Sequence, residues 1–300
     1  MGCSALRFLA LLLPRARPCC GAANLVNRPG ICYKRAKGCR LMQNSIRVSH
    51  AGAVSTVVID RPPLNTVTPA ALVELVAAFA ALEVREETRA IVLTGAGTRA
   101  FCAGASLDHK PKREGGEGQG FREAGRALIR RIETHPKPVI AAIRGWAIGG
   151  GFAIAMACDV RLAAESAKLR TGDAYIGIVP SWGMSLVRLV HYIGRNRTLD
   201  MLMLGEDISA RAAVELGLVT RAVPDESFEA ALAALASRIA AGAPLVFRAI
   251  KEAVYAQYQE GAAAALELET RWSKATEHSF DAEEGIAAFK EKRKPRFKGS

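Results

Sequence analysis

Residues 144–169 read RGWAIGGGFAIAMACDVRLAAESAKL, and the fold follows from how the pattern changes along this stretch. Gly149, Gly150 and Gly151 interrupt an apolar run and open a helix of small and apolar residues that continues to about Ala157. DVRLAA, starting at Asp159, then reads as a buried strand, and KPVIAAIRG, ending at Gly145, reads as another just ahead of the glycines. Further upstream, AVSTVVID from Ala53 is a β-branched strand and RPPLN turns the chain into an Ala/Leu-rich helix from Pro69 to about Glu83. RAIVLTGAG is a further buried strand ending in a glycine turn. After Pro180 the pattern is almost wholly helical, with turn signals at Gly194, Gly205, Gly217 to Pro224 and Gly242 to Pro244. Strand and helix units first, helices second, predict an α/β core with a helical C-terminal portion. The segment HKPKREGGEGQG, 109–120, contains nothing that can be buried cheaply and reads as a loop.

The chain of 300 residues carries 41 basic and 29 acidic side chains, a formal net charge of +12. Its distribution argues against nucleic acid as a partner. Residues 1–41 hold eight of the basic groups and no acidic one, leaving 33 against 29, about +4, in the rest. No run approaches the roughly 18 apolar residues of a membrane helix, so no membrane association is expected. Five of the seven cysteines also lie in the first 41 residues, without a CxxC pair or a histidine among them; only Cys102 and Cys158 follow. The body therefore reads as that of a reduced, cytoplasmic protein. The Arg-rich, acid-free head has the composition of a mitochondrial transit segment. It is also readable as the product of an upstream start codon, with Met42 the true start, or as a functional tail. The predicted organisation is a head at 1–41, a core at 42–225 and a helical region at 226–300.

Two segments share one chemical feature. In Phe101-Cys102-Ala103-Gly104-Ala105-Ser106 and in Gly145 to Gly151, a strand ends and small residues let backbone amides face open space. A helix starting in the second segment adds unpaired N–H groups and the positive end of its dipole. Together they can form an oxyanion hole. No GxGxxG follows a strand, and no Walker lysine is present. The five histidines, His50, His109, His135, His191 and His278, have no metal-ligand spacing, so no metal site is expected. Cys102 and Cys158 lack a paired histidine and read as small apolar residues.

FCAGASL, RGWAIGGGFAIAMACDVRLAAESAKL, GIVPSWG, ARAAVELGLVTRAV and EEGIAAFKEKRKPRF, in this order, resemble the successive signatures of the enoyl-CoA hydratase/isomerase (crotonase) family, over about residues 46–300. The resemblance implies a spiral of ββα units with a helical C-terminal trimerisation region, in a homotrimer or hexamer. It implies an acyl-CoA thioester substrate, with coenzyme A part of that substrate and no separate cofactor. By position it assigns the two backbone donors to the thioester carbonyl to Ala103 and Gly150, with Gly104, Ala105 and Gly149 lining the same cradle. It assigns contacts with the coenzyme A nucleotide to Phe289 and Lys292, from a neighbouring subunit; KEKRKPRFK supplies six cations for phosphate groups.

The acid/base positions depart from the family pattern. Hydratases of the family hold water between two glutamates; here the first position is Ala153 and the second Asp173, and a methyl group can neither abstract a proton nor orient water. Family members that only move a double bond work with one carboxylate at the second position. Asp173 is therefore the candidate base, with a helix cap or loop carboxylate as the other reading of Thr171-Gly172-Asp173. Asp159 reads as a backbone-bonding structural group. Ser106 stands where many relatives have aspartate, with Asp108 a minor candidate nearby, and Trp146 and Trp182 pack in the core or line the acyl pocket. The leading expectation is isomerase-type chemistry through an enolate. Hydration, decarboxylation or another lyase step, and a weakened acyl-CoA- or RNA-binding protein, remain as alternatives.

Overall fold

The computed structural model describes residues 45–107, 117–182 and 188–300, all within one compact unit, Gln43–Ser300. The head at 1–41, His109 and Asp108 lie outside the described residues.

A six-stranded sheet forms the base. Its strands are β1 (Ile46–Ala51), β2 (Val54–Ile59), β3 (Ala90–Gly95), β5 (Val139–Ile143), β7 (Val160–Ala164) and β10 (Arg221–Val223), in the order β1-β2-β3-β5-β7-β10. Only the β1–β2 hairpin is antiparallel. β3 and β5 are buried almost throughout, as parallel strands covered on both faces must be. The second sheet is small: β4 (Ala100–Cys102), β6 (Trp146–Ile148), β8 (Lys168–Arg170) and β9 (Ile208–Ser209), in that order, the first three parallel.

Helix α1 (Pro69–Val84) begins as its sequence demands, with Pro69 in the first turn and the Thr68 hydroxyl accepting from the Ala71 N–H. α2 (Glu117–Glu133) starts inside the stretch read as a loop, so 117–120 are helical. α3 (Gly150–Ala157) is apolar all round and has every residue after Gly150 buried, as a helix threaded through a core should be. Gly151 is required here: a Cβ on it would lie 1.9 Å from the Cys102 carbonyl oxygen, so only glycine lets α3 start against the end of β4.

The region after Pro180 is not wholly helical, since β9 and β10 lie within it. Around them stand α4 (Leu189–Leu204) and α5 (Ala210–Glu215). From Phe228 onward the elements are all helices: α6 (Phe228–Ala240), α7 (Pro244–Gln259), α8 (Ala262–Thr276) and α9 (Phe280–Lys290). Asp159 does what its place suggested: its carboxylate accepts from the Val139 N–H at 2.7 Å and pairs with Lys251 of α7 at 2.6 Å. Among the described residues no single helix is long and apolar enough to cross a membrane, and no metal-ligand cluster exists.

Candidate active site

The three exits of β4, β6 and β8 bring the candidate residues together. Cys102 pairs with Ala147 and Ile148 with Arg170, so the chain leaves three adjacent parallel strands side by side, at their carboxyl ends. From β4 come 103–106, from β6 come Gly149 and α3, and from β8 come Thr171 to Asp173.

The first donor is not Ala103. Its N–H is already spent on the Leu64 carbonyl at 3.0 Å. The Gly104 carbonyl accepts from Val67 N–H at 2.8 Å, and Ser106 N–H donates to the Val67 carbonyl at 2.9 Å. These two bonds make a parallel bridge between Val67 and Ala105. In such a bridge the residue between the two bonds turns its own N–H to the other side. The Ala105 N–H thus points away from Val67 and has no acceptor among the described residues. Ala103 was assigned by position in the motif, and sequence alone does not reveal which of several successive amides is already bonded. The loop that makes the choice, 61–67, is held by Asn65, a wholly buried side chain missed by the sequence reading. Its amide donates to the Ala96 and Ala100 carbonyls at 3.0 and 2.7 Å, and its oxygen accepts from Arg61 N–H at 3.1 Å.

Gly150 offers the second free amide. Gly149 N–H donates to the Arg170 carbonyl, and Ala153 N–H is the first to close a helical bond, back to Gly149, so the Gly150 N–H lies in the unpaired first turn of α3. The two segments approach closely. A Cβ on Gly104, which sits at φ +84°, would lie 3.1 Å from the Gly150 nitrogen.

Asp173 opens a short 3-10 turn, Asp173–Ile176, and its carboxylate reaches the same place: both oxygens are 3.6 Å from where a Gly149 Cβ would stand. Oδ2 is buried without a hydrogen-bond partner. Burial holds this carboxyl above the ordinary aspartate range, opposed only by its own N–H. Oδ2 is therefore free to take a proton.

Ala153 is buried, as are Cys102 and Cys158. Burial pushes the thiols of Cys102 and Cys158 up to about 12. Trp182 packs against Phe121 with ring centroids 5.6 Å apart and lies against Gly150. Phe289 and Lys292 are exposed at the end of α9, and no described contact joins them to these residues. The cations around them are partly used, since Arg293 is paired with Glu284 and Glu291.

Two main-chain donors and one unbonded carboxylate at the ends of parallel strands can polarise a carbonyl and move a proton beside it. Proteins of known family share this framework. Residues 49–300 match the family model described as enoyl-CoA hydratase/isomerase. A Bacillus subtilis protein named "Probable enoyl-CoA hydratase" is 38% identical over 258 residues, 85% of this chain and 99% of the relative. The carnitinyl-CoA dehydratase of Proteus mirabilis is 33% identical, covering 86% and 100%. Among solved structures, an enoyl-CoA hydratase from Bacillus anthracis superposes with a TM-score of 0.81 at 36% identity, over 86% of this chain and all of that one. The chain belongs to the enoyl-CoA hydratase/isomerase, or crotonase, family.

Proposed function

We propose that this enzyme isomerises an enoyl-CoA thioester with a single base. The thioester oxygen accepts hydrogen bonds from the N–H groups of Ala105 and Gly150, and these preorganised dipoles stabilise the negative charge that builds there. Asp173 takes a proton from the α-carbon of a 3-enoyl thioester, its carboxylate becoming the acid as the C–H bond electrons enter the dienolate. The same proton is returned to the γ-carbon, the double bond moves from C3–C4 to C2–C3, and the carboxylate is regenerated. No atom is gained or lost. The observation that carries this reading is the buried, unbonded Oδ2 of Asp173 beside the glycine run, with alanine at the position of a second carboxylate.

Hydration is the second reading, favoured by the names of the Bacillus and Proteus relatives. The two are separated by incubating the full chain with 2-enoyl- and 3-enoyl-CoA thioesters in deuterated water and weighing the products. Double-bond movement or α-deuterium without added water supports the one-base reading. Water uptake by the wild type refutes it.

The acting form is proposed to be a homotrimer. Tyr175, Ile176, Ile178 and Val179, just after Asp173, are all exposed, and the Tyr175 ring lies against Gly205 next to exposed Met203 and Leu204. Such an apolar surface beside the base suits burial by another copy.

A further inference from the structure

The absence of a second carboxylate has a counterpart at the start of α3. Position 125 of α2 and position 150 of α3 are both glycine, and the indole of Trp182 lies in the slot between them. A Cβ on Gly125 would stand 2.4 Å from the ring and one on Gly150 would stand 2.9 Å from Cη2 and Cζ3. The Phe121 ring closes the slot edge-on, at an interplanar angle of 69°. The preceding residue is anchored too, because the Ser181 carbonyl accepts from Arg126 Nε at 2.7 Å. The indole nitrogen is turned toward Gly125, and the hydrocarbon edge faces Gly150.

Helical side chains lean toward the helix N-terminus, so a residue covers the turn ahead of its own Cα. Position 153 follows Gly150 by three residues, on the same face of α3. A longer side chain at 153 would extend back over Gly150, into the space now held by the edge of Trp182. An aromatic hydrocarbon edge offers no acceptor to hold water. On this geometry the indole edge against Gly150 lies where a carboxylate at 153 would reach.

Resting on the one-base reading, we propose that Trp182 is the residue that determines the product: it bars water from the reacting carbons, so that the enolate can resolve only by reprotonation. The consequence differs from that of a merely missing base. Restoring glutamate at 153 is then insufficient, because its site is occupied.

The test compares the full-length wild type, Ala153→Glu, Trp182→Ala and the double variant on crotonyl-CoA in H2¹⁸O, with ¹⁸O in the 3-hydroxyacyl product as the readout. Isomerisation of a 3-enoyl-CoA is followed in parallel. The double variant is expected to hydrate at least about a hundredfold faster than either single variant, the ordinary worth of a positioned general acid or base. Ala153→Glu hydrating as fast as the double variant overturns the proposal. So does a double variant that melts cooperatively and binds thioester yet adds no water. Ala153→Glu paired with Trp182→Leu, which keeps apolar contact with Phe121, repeats the comparison should Trp182→Ala fail to fold. A wild type that does not isomerise, beside a double variant that hydrates, would refute the one-base reading and leave the role of Trp182 standing. The reverse result would do the opposite.

Discussion

At Asp173 neither a cation nor a second N–H compensates a charge on the carboxyl, and the sign of the consequence follows from burial. A carboxyl whose pKa is raised on folding binds its proton more tightly in the folded state. Above both values the folded state carries an unfavourable charge; below the ordinary aspartate value of 3.8 both states are protonated and the penalty is gone. Asp173→Asn should therefore melt above the wild type at neutral pH, by about 2–4 °C for each kcal/mol relieved, and the gap should close in acid. The same change should cut turnover by about a hundredfold or more while thioester affinity is retained. In the wild type the rate should fall with acid through an apparent pKa above 3.8. A variant no more stable than wild type at pH 7 would contradict the buried, unbonded carboxylate. At this scale the convergence of the segments holding Gly150 and Asp173 was legible from motifs that resemble the family's. The shift from Ala103 to Ala105 was not, because a hydrogen-bonded amide and a free one are written with the same letters; only the bridge to Val67 distinguishes them.

Lys251 shows how a helix outside the site is fastened to the sheet that builds it. Its ammonium, nearly buried, meets the Asp159 carboxylate and the carbonyls of Ile132 and Lys137 at 3.4 and 3.2 Å, joining α7 to the start of β5 and the end of α2. Removing one partner of such a pair strands the other. Lys251→Ala should cost about 3 kcal/mol, read as a shift of the denaturation midpoint. Replacing Asp159 and Lys251 together should cost less than the two single changes summed. An additive result would show that the pair does not act as a unit. Among elements, the strands β2, β3, β5 and β7 and the helices α1 and α3 were readable because five or more residues suffice to display a period. β4, β6, β8 and β9 have only two or three residues each, too few to display one, yet three of them place the site. Position in a sheet, not pattern, gives them their meaning.

For the molecule as a whole, the order of the motifs carried the family, and the charge arithmetic placed eight of the twelve net positive charges in residues 1–41. Association between copies is a property of surface, and an exposed tyrosine and valine look in sequence like core residues. Sedimentation of the full chain should give a mass about three times 32.0 kDa, and Val179→Asp, which puts a charge on the exposed apolar surface, should shift it toward the monomer. A monomeric wild type would refute the trimer. The bridge between Val67 and Ala105 has a further consequence, for how such a protein can change over time. Under the proposed reading the polarising groups belong to the main chain, so drift at residue 105, short of proline, leaves the dipole in place. The codon that heredity must guard is then that of Asn65, whose buried amide holds the loop against which that dipole is aligned.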